Sequence, residues 1–130
     1  MFTLKTESGV HERIVRALVG YFLGQGWAVT AAACNGYPEP PKVGRHEPDA
    51  IARDSRQVVV FGEAKTGNGD IGTQHSREQY HDFSGRVMSG SGTPCPLHLC
   101  VPRAYKEELE RVLAEEGLGA KSNIHVLTVG

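Results

Sequence analysis

The sequence predicts an α/β fold with a central mixed β-sheet flanked by helices on both faces. Segments with helical periodicity alternate along the chain with short apolar runs rich in β-branched residues, a pattern typical of sheets covered by helices. Two of these runs are separated only by Asp54-Ser55-Arg56, whose turn chemistry predicts an antiparallel hairpin. The other strands are separated by helices, so we expect a sheet with both parallel and antiparallel pairs.

The length and charge of the chain set limits on its class. It has 130 residues, which predicts a single domain over residues 1–130 with a core of its own. The formal net charge is −1 at pH 7, without the basic excess that nucleic-acid-binding domains usually carry. Part of the acidity is predicted to form a solvated helix face, which comprises Glu107, Glu108, Glu110, Glu115 and Glu116. Net charge does not decide the function, because bound metal would offset carboxylates at a site.

The cysteines and the hydropathy pattern indicate a compartment. Cys34, Cys95 and Cys100 are odd in number and show no framework spacing, which favours a reducing environment. We expect no signal peptide before the first helix, and no apolar run approaches membrane-spanning length. The prediction is a cytoplasmic protein with no membrane partner.

The first periodic segment predicts an amphipathic helix over residues 7–23, with glycines after it as helix-ending residues. Its apolar arc consists of Val10, Ile14, Ala17, Leu18 and Phe22. His11 lies within this arc and is predicted to be a packed histidine rather than a ligand. Glu12 lies at the edge of the arc, near enough to the core face to reach a site.

A strand and a long loop follow the first helix. Small residues on both sides of the predicted strand over 27–33 indicate that it is covered on both faces. The loop over 34–47 is rich in proline and glycine and carries Lys42, Arg45 and His46 just before Asp49. Two interpretations of this loop are equally supported: it contacts substrate phosphates, or it is a mobile connection.

Two carboxylates and an amine are predicted to meet at one end of the sheet. Asp49 begins the first strand of the hairpin, while Glu63 and Lys65 end the second and point to the same face. Such a group suits metal-assisted phosphodiester hydrolysis, because hard oxygen ligands hold Mg²⁺ and a lysine can orient the attacking water. A two-residue turn would place Asp49 opposite Val60. Glu63 lies three residues further along that strand, which is about 10 Å away. We therefore expect a longer loop, a bulge or a bend at Pro48.

These residues carry a resemblance to a known superfamily. Pro48-Asp49, followed after thirteen residues by Glu63-Ala64-Lys65, resembles the signature of the PD-(D/E)xK nucleases. The resemblance implies a restriction-endonuclease-like core. It also implies Mg²⁺, for which Mn²⁺ can substitute, bound by Asp49 and Glu63 with the Ala64 carbonyl as a further ligand. Lys65 would position the attacking water.

Within that superfamily the pattern is most similar to the archaeal Holliday junction resolvases. Gly9 and Glu12-Arg13 resemble the opening of the first helix in that family, and Ser76-Arg77-Glu78-Gln79 resembles the stretch that follows its lysine. The likeness implies that Glu12 is a metal-site carboxylate and that Gln79 supports the site. It further implies a structure-selective DNA endonuclease that acts as a homodimer.

Two alternatives remain beside the resolvase hypothesis. One is another PD-(D/E)xK nuclease, of restriction, phage or mobile-element type, acting on duplex or flap DNA. The other is a noncatalytic DNA-binding or assembly protein that keeps the fold. An additional protein subunit that supplies positive surface is compatible with each of these hypotheses.

The second half of the chain is predicted to complete the sheet. A helix is expected over 73–88 with Phe83 in the core, a buried strand over 95–101, a helix over 103–116 and a last strand over 124–129. Alternation along the strand puts Cys95 on the opposite face from His98 and Cys100. This parity argues against a zinc site there.

Overall fold

The computed structural model describes the backbone of residues 2–130 and the side chains of residues 9–130. It confirms an α/β fold with a five-stranded sheet. The elements are α1 (Phe2–Gly24), β1 (Ala28–Ala32), β2 (Ala50–Arg53), β3 (Val59–Ala64), α2 (Gln74–Ser84), β4 (Leu97–Pro102), a 3₁₀ turn (Arg103–Tyr105), α3 (Lys106–Glu115) and β5 (Ile124–Val129). No helix in the described part of the chain is long and apolar enough to cross a membrane.

The strands lie in the sheet in the same order as in the chain, with β3 at the centre. The pairs β1–β2 and β2–β3 are antiparallel, whereas β3–β4 and β4–β5 are parallel. The predicted mixed sheet is therefore confirmed. The centre of the sheet is also where the antiparallel half joins the parallel half, and β3 carries Glu63 and leads directly into Lys65.

The hairpin between β2 and β3 closes through a three-residue loop. The Asp54 amide donates to the Val58 carbonyl at 3.0 Å, so residues 55–57 form the loop. Gln57 takes a positive φ of 67°, which is typical of the last residue in such a loop. The Asp54 carboxylate accepts hydrogen bonds from the Arg56 and Val58 amides and holds the turn in shape. The expectation of a loop longer than two residues is confirmed.

Two apolar clusters pack against alternate residues of the central strands. Val60 and Ala64 of β3 and Cys100 of β4 lie in a cluster with α1, whose buried residues there are Ile14, Val15, Leu18, Val19 and Phe22. Phe61 of β3 lies in a second cluster with the buried residues of α2 and α3. Leu97, Leu99 and Val101 of β4 belong to this second cluster too. The predicted parity of the β4 strand is confirmed.

Close packing of α1 on β3 depends on Gly62. A Cβ at this position would lie 2.5 Å from Leu18 Cδ2 and 3.1 Å from Phe22 Cζ. We expect Gly62→Ala to lower the free energy of unfolding by about 1–3 kcal/mol through overpacking, measured by urea denaturation. Gly20, an exposed glycine in the same helix, has open space around it. Gly20→Ala should therefore raise stability by about 0.5–1 kcal/mol, and equal effects of the two substitutions would contradict this packing.

Several boundaries and one environment differ from the expectation. Helix α1 begins at Phe2 rather than near residue 7, because no proline interrupts the preceding residues. Helix α2 ends at Ser84 rather than at residue 88, since Gly85 caps it and its amide donates to the His81 carbonyl. The prediction that β1 is covered on both faces is wrong: Ala28 and Thr30 are exposed. The cause is that β1 is an edge strand with a bulge in its middle.

His98 of β4 is a buried histidine enclosed by aromatic rings. It is 4% exposed, and its ring lies 5.4 Å from Phe22, 5.7 Å from Trp27 and 4.7 Å from the stacked ring of His125. Within the described part of the chain, its Nδ1 has no hydrogen-bond partner. Burial first, and then the charge of His125, lowers the pKa of His98 to about 4. His98 is thus neutral in the folded protein at neutral pH.

This lowered pKa predicts a loss of stability in mild acid. Between the ordinary histidine pKa and about 4, the unfolded chain binds a proton that the folded chain does not, so stability falls as pH falls through that window. For His98 alone the loss at pH 5 is about 2 kcal/mol. Urea unfolding at pH 7 and pH 5 should show this drop in the wild type and its absence in His98→Leu. An equal drop in both proteins would mean that His98 is not the responsible group.

Candidate metal and catalytic site

The hairpin register brings Asp49 and Glu63 side by side. Ala50 pairs with Gly62, and the Asp49 amide donates to the Gly62 carbonyl at 2.9 Å. The same amide donates to Glu63 Oε1 at 3.2 Å. In the other direction, the Ala64 amide donates to Asp49 Oδ2 at 2.9 Å. Each carboxylate is therefore held by the backbone of the opposite strand, and the two predicted metal ligands lie in one hydrogen-bonded unit.

Lys65 and Gln79 extend this unit from β3 to α2. Lys65 Nζ lies 3.2 Å from Glu63 Oε2 and donates to Gln79 Oε1 at 2.6 Å. All three side chains are buried, and Lys65 is only 6% exposed. The Lys65 ammonium also lies 5.9 Å from the centre of the Tyr80 ring. The predicted residues Asp49, Glu63, Lys65 and Gln79 thus form a continuous chain of contacts at the end of β3.

Burial makes the ionised form of Glu63 costly. Removal of the carboxylate from water raises the pKa of Glu63 well above its ordinary value, and the neighbouring charge of Asp49 raises it further. Lys65 acts in the opposite direction, through its charge and its hydrogen bond. With both carboxylates ionised, Asp49 and Glu63 together carry more negative charge than the Lys65 ammonium balances. A bound cation next to these carboxylates would stabilise the ionised forms of both.

His11 contacts the site directly, contrary to the prediction that it is a packed histidine. Its Nε2 lies 3.1 Å from Asp49 Oδ2, and its side chain is 35% exposed. The hydrogen bond to Asp49 is the largest cause of a raised pKa for His11, which burial partly opposes. His11 lies in the apolar arc of α1, yet its ring contacts Asp49, the residue directly before β2. Helical spacing alone does not reveal that position.

Glu12 shares a cleft with Asp49, but its contact is with Arg16 and not with the other predicted acidic ligands. Its carboxylate accepts a hydrogen bond from Arg16 at 2.9 Å and is 41% exposed. Glu12 and Asp49 line the same open cleft, which has a volume of about 390 Å³. Two further carboxylates, Glu39 and Glu47, line it as well. The cleft is therefore acidic, which suits a cation but opposes a phosphate unless a cation is bound.

The loop before Asp49 is tied to α2. His46 Nδ1 lies 2.9 Å from Asp82 Oδ2, and the Arg45 amide donates to the same carboxylate oxygen at 3.1 Å. Arg86 donates to the other oxygen of Asp82 at 2.6 Å. Gly44 takes a positive φ, and a Cβ there would overlap the Arg86 and Asp82 side chains. The segment that delivers Asp49 is thus anchored on the helix that carries Gln79.

Other residues from the sequence prediction have structural partners. Phe83 is fully buried in the core, as predicted. Arg77 donates to Glu116 of the segment after α3 at 3.0 Å and to the Gly72 carbonyl at 2.8 Å. Arg45 is 80% exposed in its side chain, 3.4 Å from Glu78. Of these basic groups, Arg45 is the one placed to reach an external phosphate, because Arg77 is engaged within the fold.

The donor set fits a divalent cation, although it is incomplete in this geometry. Asp49 and Glu63 supply carboxylate oxygens, which Mg²⁺ and Mn²⁺ prefer. Among the described residues, no group of three or more acidic, histidine or cysteine side chains is already gathered around one point. Asp49 accepts its hydrogen bonds from His11 and the Ala64 amide through Oδ2, and these contacts leave Oδ1 unused.

Comparison with known proteins places the chain in no established family. No family model matches it, and no curated protein and no solved structure is significantly similar to it. The function is therefore inferred from the residues of the site and their geometry.

Proposed function

We propose that the protein is a metal-dependent endodeoxyribonuclease with a site of the PD-(D/E)xK type. The observation that carries this proposal is the chain of contacts from Asp49 through Glu63 and Lys65 to Gln79. A carboxylate and an ammonium that are buried together, with the partly buried Asp49 carboxylate beside them, are costly for folding. Their concentration at one strand end, beside an open acidic cleft, supports a catalytic rather than a structural role.

Asp49, Glu63 and the Ala64 carbonyl would hold Mg²⁺ or Mn²⁺, with Glu12 contributing from across the cleft. Such an ion lowers the pKa of bound water and neutralises charge that develops on the phosphate. Glu12 lines the cleft together with Asp49, and release of its exposed contact with Arg16 would let it turn inward. An exposed ion pair of this kind stabilises a fold by less than about 1 kcal/mol, so this rotation costs little.

Lys65 would orient the attacking water. An ammonium has three N–H donors, and two of them face Glu63 and Gln79. The third is the donor for a water or a phosphate oxygen that enters the site. Gln79, anchored on α2, fixes the direction of the lysine side chain, so the ammonium is already oriented when substrate arrives.

The packing supports a restriction-endonuclease-like core as part of the proposal. The α1 cluster and the α2–α3 cluster take alternate residues of β3 and β4, an arrangement compatible with helices on both faces of the sheet. Within this class we favour an enzyme selective for branched DNA, acting as a symmetric homodimer so that two sites meet two strands. This preference rests on the resemblance of the α1 and α2 sequences to the Holliday junction resolvases.

The test is cleavage of a panel of labelled nucleic acids: linear duplex, single strand, flap, four-way junction and an RNA duplex. Each is incubated with Mg²⁺, Mn²⁺ or EDTA. We expect cutting of DNA with either metal and none with EDTA. Preference for the four-way junction by a dimer would support the resolvase-like hypothesis, whereas preference for duplex or flap DNA would support another nuclease of this class.

A noncatalytic DNA-binding or assembly protein is the second candidate. The acidic cleft and the burial of Lys65 favour the assembly protein, because a scaffold needs neither a basic surface nor an accessible amine. Calorimetric titration with divalent metal separates the two candidates. Absence of both metal binding and cleavage in a folded sample would select the noncatalytic protein.

A further inference from the structure

His11 is the closest side chain to Asp49 that the proposed nuclease site does not yet use. Its Nε2 is 3.1 Å from Asp49 Oδ2, near the separation expected of two ligands on one metal ion. The imidazole is about one-third exposed, so solvent reaches part of the ring. The neighbouring Val10 and Ile14 pack into the α1 cluster, which fixes the turn of the helix that presents His11.

We propose that His11 is a direct metal ligand beside Asp49 and Glu63, and that the site therefore prefers a first-row transition ion such as Mn²⁺ over Mg²⁺. This inference rests on the proposed function only in that Asp49 and Glu63 bind a divalent ion. Imidazole nitrogen is a common ligand of transition metals, whereas Mg²⁺ prefers oxygen ligands and water. One nitrogen in the donor set thus shifts selectivity between the two ions.

A purely structural role for His11 predicts a different outcome. A hydrogen bond from His11 to Asp49 would orient the carboxylate. Loss of this bond would lower the affinity for Mn²⁺ and for Mg²⁺ in similar proportion. Loss of a nitrogen ligand would instead weaken Mn²⁺ binding much more than Mg²⁺ binding. The ligand also leaves a magnetic signature on bound Mn²⁺. These two consequences make the roles separable.

The chain offers a matched control for His11. His81 Nε2 lies 3.0 Å from Glu116 Oε1, a histidine–carboxylate contact of the same length outside the site. His81→Gln therefore removes a comparable contact with no effect expected on metal binding. His11→Gln keeps a polar side chain of similar reach, and thermal unfolding of both variants shows whether each is folded.

The experiment combines calorimetric titration of the full chain with Mn²⁺ and Mg²⁺ and pulsed electron paramagnetic resonance of the Mn²⁺-bound protein. We expect a ¹⁴N coupling from a directly bound imidazole, which changes to a ¹⁵N coupling when the wild type carries ¹⁵N-labelled histidine. In His11→Gln the coupling should disappear and the Mn²⁺ affinity should fall by about 100-fold or more, at or above the loss that follows removal of a residue that only supports a ligand. The change for Mg²⁺ should be clearly smaller. His81→Gln should match the wild type.

The outcomes distinguish this inference from the proposed function. Mn²⁺ binding without nitrogen coupling in the wild type would overturn the role of His11 and leave the nuclease intact. Absence of Mn²⁺ binding would overturn it as well. Nitrogen coupling in a protein that cleaves no DNA would support the role of His11 and reject the nuclease. The labelled wild type shows whether a histidine binds Mn²⁺ even if His11→Gln does not fold, and His11 is the described histidine that contacts Asp49.

Discussion

Asp49→Asn is expected to abolish metal-dependent cleavage while the protein remains folded. Asn keeps an oxygen that accepts from the Ala64 amide, as Asp49 Oδ2 does now, so the hairpin is preserved. It removes the negative charge that would bind the ion. A metal that contributes several kcal/mol to the transition state implies a loss of about a thousand-fold or more in the single-turnover rate. The rate is measured with labelled DNA at saturating metal.

Asp54→Asn is the matched control for this variant. Asp54 lies at the far end of the same hairpin, where its carboxylate accepts from two turn amides. Asn preserves an acceptor there, and we expect cleavage close to the wild-type rate. If Asp49→Asn cleaved at the rate of this control, Asp49 would have no part in the mechanism.

Lys65→Met is expected to remove cleavage and also to destabilise the fold. Glu63 is fully enclosed and has Lys65 as its ion-pair partner at 3.2 Å, so the substitution leaves a buried carboxylate without compensation. Loss of one partner of a buried ion pair costs about 3–5 kcal/mol, measured by urea denaturation at pH 7. The penalty should shrink as pH falls, because the raised pKa of Glu63 lets its carboxyl become neutral in the folded variant.

The double variant Glu63→Gln, Lys65→Met separates the structural effect from the catalytic one. With the acid also neutralised, we expect most of the lost stability to return while cleavage stays absent. A fully stable Lys65→Met protein at pH 7 would contradict the role of Lys65 as the counter-charge of Glu63. Cleavage by the double variant would contradict the catalytic roles of Glu63 and Lys65.

The central part of the site was predictable because it depends on local geometry. Alternation along β3 puts Glu63 and Lys65 on one face. A two-residue turn would have left Asp49 and Glu63 apart, which predicted a longer loop, a bulge or a bend at Pro48. The three-residue loop with Gln57 at positive φ is the first of these. These relations involve residues that are close in the chain, so the sequence contains the information.

The contact of His11 was not predictable in the same way. It depends on how α1 lies across the sheet, where Leu18 and Phe22 approach Gly62 of β3 closely. No pattern within α1 encodes that offset. The exposure of β1 was missed for a related reason: a strand of small residues is compatible with a central or an edge position, and only the order of the whole sheet decides between them.

The contacts that anchor the 34–47 loop were also not predictable from the sequence. Neither interpretation of the loop anticipated that His46 and Arg45 both bind Asp82 of α2. These contacts join residues more than thirty positions apart, and polar pairs at such separation leave no periodic signal. They are nevertheless what ties the backbone before Asp49 to the helix that bears Gln79.

The most direct test of the central claim is the single-turnover cleavage rate of a labelled four-way junction and a linear duplex as Mg²⁺ or Mn²⁺ is added to metal-free protein. Asp49→Asn, purified in parallel, reports any contaminating nuclease. We predict no cutting without metal, a rate that rises and saturates with metal in the wild type, and no rise in the variant. Cutting that is independent of metal, or equal in both proteins, would contradict the assignment of Asp49 and Glu63 as the metal site of a nuclease.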